Sequence, residues 1–493
     1  MIFLFKTTFL FFCFLFLSHF SYASQFKIPL FASHIELDPA LAKNTNDLWI
    51  SNQIVETLFQ REEGGRISSR LLNSWNVSKD RLVYSFTLKK DIFFSSGKEL
   101  TTDDVFRSLE FTLRSVPQYR YFFQQVQGMH DFINTSKKHL SGFVKKDDLR
   151  FEVHFLHPQS DFLVILAAPF FSIADREHEK VFGTGAYKVE IQSKEKIILN
   201  KNPYYIMNEK NVENIVFEFL PQGISYKEVS KRKYDILVSI PAYSHFEDKN
   251  YSVYWYQHPM VEFMGFNTFN PLWKDKEKRL GFFQQFQKEK WFQKLFKFKT
   301  KSWSMANSLL PYNSQLNSSH QIFDDGDKNN FSLKRTVQLG LISHFDLSEA
   351  AIEKALKEST LGNPSFHVRH ILPESFLEEL KKGQIDLYIS RLESESGDPY
   401  EILSYFSPKN KDGYLGGTHL HLATLFKKLK MQNKKSEKLK IYNEIDTFLQ
   451  NEGFVFPLAR TLNEKMFVTS RCKLKNYTGV APWFYKLSNL RCN

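Results

Sequence analysis

The residues best suited to chemistry lie between Leu392 and Tyr400 (LESESGDPY), where Glu393, Glu395 and Asp398 crowd three carboxylates into one loop. Carboxylates are charged acceptors, and charge-assisted hydrogen bonds are the strong ones. The plainer alternative is an acidic surface loop. Asp398, just before Pro399, is placed to cap the turn or the following helix instead of touching a ligand. Two histidine pairs are close enough in sequence to be compared with metal-ligand spacing. His367 and His370 stand three apart in a strand pattern, so they face opposite sides, while His419 and His421 could share a strand face. Neither pair is read as a metal site. Gly-x-Ser-x-Gly, His-Glu-x-x-His and Cys-x-x-Cys are all missing, which argues against a secreted hydrolase. Gly183-Thr184-Gly185 lacks the Gly-Lys-Ser/Thr order of a phosphate loop; its glycines suit backbone angles that other residues resist.

The elements that must position such a loop are legible around it. Ile385–Ile389 is a strand that feeds the loop. Upstream, Thr336–Ile342 and Phe366–Ile371 read as strands, Ser348–Ser359 and Glu374–Lys382 as helices, and Gly383 as a C-cap. This alternation predicts an α/β lobe with a parallel component. Ala423–Leu449 reads as one helix whose lysines form a solvated face. Far earlier, Leu82, Tyr84, Phe86 and Leu88 alternate with Val83, Ser85 and Thr87, a half-buried strand. Ser95-Ser96-Gly97 is a turn, and Thr101 and Asp104 have capping-box spacing ahead of Val105, Leu109 and Leu113. Asp47–Phe59 is a further helix. The polar run Gln321–Ser332 reads as an exposed loop.

At 493 residues the chain needs two or three domains. Its 42% apolar and 24% charged content is globular. The net charge of +12 is scattered, without the basic and aromatic groove of a nucleic-acid binder. Residues 1–23 form a cleavable leader: Lys6, an apolar core Phe9–Leu17 too short to span a bilayer, and Ser21-Tyr22-Ala23 before the cut. Cys13 lies in that apolar core without a lipoprotein motif. Losing Lys6 takes the charge from +12 to +11. Cys472 and Cys492 remain, and in an oxidising compartment they would plausibly close a loop of about twenty residues worth roughly 3 kcal/mol. Two free thiols is the other reading.

Several motifs together resemble one family. Leu71-Leu72-Asn73-Ser74-Trp75, the Tyr84-x-Phe86-x-Leu88 strand, Ser96-Gly97 and Thr101-Thr102-x-Asp104-Val105 are similar to a run in the extracellular solute-binding proteins of family 5. These are peptide- and nickel-binding receptors of ABC importers. Gly183-Thr184-Gly185-Ala186-Tyr187, Asn202-Pro203-x-Tyr205 and Gly265-Phe266-Asn267-Thr268 continue the likeness. Leu280–Phe286 departs from it, and the match is weak from there to about residue 330.

The resemblance implies a two-lobe α/β clamshell of the periplasmic type II-like kind with a satellite subdomain. Residues 24–59, 181–267 and 465–493 would form the first lobe, 60–180 the satellite and 268–464 the second lobe. The crossings would fall near Asn267–Thr268 and Arg460–Asn463. Aligned on Gly397-Asp398-Pro399, Glu395 falls where peptide-binding members carry the aspartate that receives the ligand's α-amino group. Leu392 stands where a tryptophan is usual. Leu392, Ser394, Glu395 and Asn267 are the implied ligand contacts. The implied function is a periplasmic, monomeric substrate-binding component that captures a peptide or similar small solute for an inner-membrane ABC permease. It implies no cofactor, metal, nucleic acid or enzymatic activity. A sensory receptor of the same fold is the alternative.

Overall fold

A computed structural model of the chain describes residues 25–492 except 33, 62–66, 136, 160, 207–211, 221–228, 230, 239–247, 257–259, 297–302, 312–334, 343–348, 363, 372, 395–397, 409, 411–412, 433, 462–463, 476 and 478–484. The leader 1–23 with its cleavage point, the run Gln321–Ser332 and Glu395 itself therefore lie outside the described residues.

Period-two alternation in Val83–Leu88 buries Tyr84, Phe86 and Leu88 on one face. This strand lies in a four-stranded antiparallel sheet ordered Leu72–Val77, Val83–Leu88, Arg150–His154, Phe143–Lys145. Helix Thr102–Ser115 covers it with Val105, Leu109 and Leu113. The capping box is formed: Thr101 N and Oγ1 donate to Asp104 Oδ2 at 2.9 and 2.7 Å. Burial opposes the Asp104 charge, but hydrogen bonds from Lys98, Thr101 and Arg107 outweigh it and hold the carboxyl below its ordinary range. The core is aromatic. Phe86 stacks on Phe151 at 5.0 Å and Phe106 on Phe143 at 5.1 Å, and each buried ring contributes about 1.5–3 kcal/mol.

The first lobe is assembled from distant stretches. Phe26–Leu30 pairs in parallel with Asn214–Phe219, and Lys196–Lys201 and Tyr187–Gln192 extend that sheet. Beside it, Glu464–Thr469 lies between Ile236–Val238 and Tyr251–Tyr256. Asp235 ties the two sheets, accepting from Lys27 N at 2.8 Å and from Arg471 Nη2 at 2.7 Å. Cys472 and Cys492 are joined in a disulfide across the paired strands Cys472–Leu474 and Leu490–Cys492. The expected helix 47–59 runs instead from Thr45 to Ile54. It stops because the chain beyond it turns to tertiary partners: Glu56 bridges Ile173, whose N–H donates to Glu56 O at 2.8 Å.

Gly183 and Gly185 serve a different purpose from the one their spacing suggests. Neither adopts a positive φ. A Cβ on Gly183 would lie 1.9 Å from Ile54 O, and one on Gly185 2.6 Å from Ile54 C. They are small so that this strand can press against the end of the helix, and Gly185 N donates to Ile54 O at 2.9 Å.

The second lobe has a six-stranded sheet ordered Trp303–Met305, Val455–Thr461, Met260–Phe266, Leu387–Glu393, Val337–Leu341, Phe366–His370. Val337–Leu341 runs parallel to both its neighbours, with helices Glu349–Ser359 and Pro373–Lys381 as the crossovers. Two sequence-based boundaries change. Met260–Phe266, expected in the first lobe, is hydrogen-bonded on both sides within this sheet, so the chain enters the second lobe before Met260. The single helix over Ala423–Leu449 is two, Leu420–Met431 and Lys435–Asn451. Both bury leucines in one core, so the apolar period runs through the break. His419 and His421 consequently sit at a helix start, not on a strand face.

Gly265 is also a close-approach glycine. The Tyr388 ring lies across it, and a Cβ there would fall 2.3 Å from Tyr388 Cζ.

Candidate functional site

Strand Leu387–Glu393 delivers the acidic loop. Its alternation turns Tyr388, Ser390 and Leu392 to one face, and Leu392 is buried in the core there. The two described ends of the loop are fastened together: Ser394 Oγ donates to Asp398 O at 2.8 Å. Asp398 begins helix Pro399–Leu403 as its N-cap, with Oδ1 accepting from Tyr400 N at 2.8 Å. The capping role expected of Asp398 is thus the observed one.

The same Oδ1 accepts from the Tyr442 hydroxyl at 2.7 Å. Tyr442 Oη in turn lies 3.1 Å from the hydroxyl of Tyr121, in the satellite subdomain. With its proton directed to the carboxylate, Tyr442 receives the one from Tyr121. The Tyr121 ring stacks on Tyr400 with centroids 3.7 Å apart and planes at 11°. The Lys438 ammonium lies 5.2 Å from the Tyr121 centroid. Burial pushes the Asp398 carboxyl up; the Tyr442 hydroxyl, Tyr400 N–H and Lys438 charge oppose this, and Asp161 adds to it. Burial likewise drives the Tyr121 and Tyr442 hydroxyls well above the ordinary phenol range.

Of the residues singled out from sequence, Leu392 and Ser394 share this end of the strand with Asp398. Asn267 does not. It follows Phe266, which pairs with Leu387, whereas Met260 pairs with Glu393. Six residues of strand put Asn267 about 20 Å from the loop. Its amide is committed to the main chain, donating to Leu380 O and Ile385 O at 2.8 Å each and accepting from Phe269 N at 3.0 Å. These bonds hold the base of the strand, at the end away from the loop. Tyr400 ends the loop singled out from sequence; Tyr121 and Tyr442 are not singled out, since nothing local in the sequence distinguishes them from core tyrosines.

His419 Nε2 lies 3.0 Å from Gly416 O, and His421 packs on Phe448. No cluster of three or more His, Cys, Asp or Glu side chains suited to a metal ion occurs among the described residues. No described helix is long and apolar enough to cross a membrane.

Two lobes, each assembled around its own sheet or sheets, and a satellite sheet make up a clamshell fold. Residues 66–414 match the family described as bacterial extracellular solute-binding proteins, family 5 Middle. The chain belongs to that family. It is 27% identical over 171 residues to a dipeptide-binding protein of Lactococcus lactis subsp. cremoris, covering 33% of this chain and 31% of the relative. The chain thus spans about a third of the length of the curated relatives it matches. Haemophilus influenzae OppA in complex with RPPGFSPFR superposes with TM-score 0.77 at 15% identity, covering 95% of this chain and 99% of that one. NikZ from Campylobacter jejuni in complex with Ni(L-His) does so with TM-score 0.75 at 16% identity, over 95% and 99% of the two chains. At such identities the likeness is one of fold.

Proposed function

We propose that the protein is the substrate-binding component of an ABC importer, capturing a peptide or peptide-like solute between its lobes and delivering it to a membrane permease. The observation that supports this reading is the family match over residues 66–414, together with the hydrogen bond that joins Ser394 to Asp398, the two described ends of the acidic loop. Glu395, between those ends, supplies the negative charge for the ligand's amino group. Closure around the ligand excludes water and strengthens that contact. Residues 1–23 direct export to the periplasm and are removed after Ala23, and the protein acts there as a monomer without catalysis.

Native mass spectrometry of protein purified from the periplasm tests this. The expected result is a ladder of bound peptide masses, reduced at least tenfold in occupancy by Glu395→Ala. A single mass matching a nickel chelate would move the ligand to the class seen in the complex of NikZ with Ni(L-His). Absence of any bound or added peptide would overturn the reading.

A further inference from the structure

The satellite subdomain meets the two lobes in different ways. To the first lobe it is fastened by main-chain bonds and ion pairs: Ser95 N to Gly183 O at 2.9 Å, Ile173 N to Glu56 O at 2.8 Å, Arg70 to Glu56, and Arg176 to both oxygens of Asp38. It therefore travels with the first lobe. Against the second lobe it presents Tyr121, from the 3-10 helix Pro117–Phe123. Tyr121 is 5% exposed, which requires Tyr400 and Tyr442 to cover it. A clamshell that opens must break this contact, because its two halves ride on different lobes.

We infer that Tyr121, Tyr442, Asp398 and Tyr400 form a closing latch, with Tyr442 as the residue that registers closure at the acidic loop. When the lobes meet, Tyr121 stacks on Tyr400 and donates to Tyr442. Tyr442 donates to Asp398, and Asp398 O holds Ser394 Oγ, so both described ends of the loop are fixed by the same contact. The two Tyr121 contacts join groups on different lobes and form only when the lobes meet, so each contributes free energy to the closed form alone. The inference rests on the clamshell reading but not on the ligand being a peptide.

Small-angle X-ray scattering of the ligand-free protein, after unfolding and refolding to strip bound solute, tests it. Wild type is expected to scatter predominantly as the compact form. Tyr121→Ala should shift the population to a form with larger radius of gyration, and Tyr442→Phe should do so partially, with the closed-to-open ratio falling about three- to tenfold. Tyr442→Phe keeps the ring in the core and guards against misfolding of the alanine variant; matched thermal melts would verify this. The double variant Tyr121→Phe/Tyr442→Phe should cost less than the sum of the single variants, because the two hydroxyls share one bond. Unchanged scattering in all variants, or a wild type already open without ligand, would overturn the latch. Binding of trialanine, measured separately by calorimetry, fails only if the peptide reading fails.

Discussion

The satellite subdomain has two seams, and they are built from opposite materials. Toward the first lobe, Glu56 is buried and receives Arg70 together with Thr184 Oγ1 at 2.9 Å, while Asp38 receives Arg176. Toward the second lobe there are stacked rings and a file of hydroxyls. A buried charge stripped of its partner costs several kcal/mol, so the first seam resists opening. A tyrosine can be exposed and rehydrated at moderate cost, since its hydroxyl finds water and only apolar area is lost. Permanent and separable contacts are thus told apart by their chemistry.

The largest effect should come from breaking the permanent seam. Arg70→Met leaves Glu56 buried without its cation and should destabilise the protein by about 3–4 kcal/mol in urea unfolding, with loss of the satellite's independent protection in hydrogen exchange. A smaller effect is expected from Gly183→Ala. Its Cβ would meet the Ile54 carbonyl, which is backbone and cannot swing aside, so overpacking should cost about 2–3 kcal/mol. The smallest sharpens the electrostatic side of the same seam. Lys486 lies behind it within the first lobe, donating to Asn52 Oδ1 at 2.7 Å and Val55 O at 3.1 Å. Burial pulls its ammonium down to about 8 from 10.5, against the attraction of Glu56. Between those pH values the folded chain has shed a proton that the unfolded chain keeps, so stability rises with pH across the window. Wild type should gain on Lys486→Met by about 1–2 kcal/mol between pH 8 and 10; a flat difference would show that the ammonium is not desolvated.

Legibility in the sequence followed distance along the chain. The Val83–Leu88 strand, the Gly97 turn with its φ of 90° and the Thr101–Asp104 box are local, and each formed where its residues predicted. The parallel strands of the second lobe were equally readable, because each is bounded by its own helix and turn. What escaped was tertiary. Tyr121 and Tyr442 are 321 residues apart and carry no pattern that pairs them. The Gly265–Thr268 motif marks Asn267, but its main-chain partners Leu380 and Ile385 lie more than a hundred residues further along and are not readable from the motif. The spacing of Gly183 and Gly185 marks them as special, but the reason, close approach and not backbone angle, depends on the neighbouring helix.

The strand Glu464–Thr469 has a consequence for how the molecule is made. It is the middle strand of its sheet, and its flanking strands, Ile236–Val238 and Tyr251–Tyr256, pair with it and not with each other. In chain order those two strands precede their shared partner by more than two hundred residues, so their edges stay unpaired until it docks. The satellite, contiguous in sequence, can bury its aromatic core long before. The order of assembly is therefore inverted relative to the order of residues: an inserted module sets first, and the lobe begun by Phe26 is closed last, when the chain returns to it.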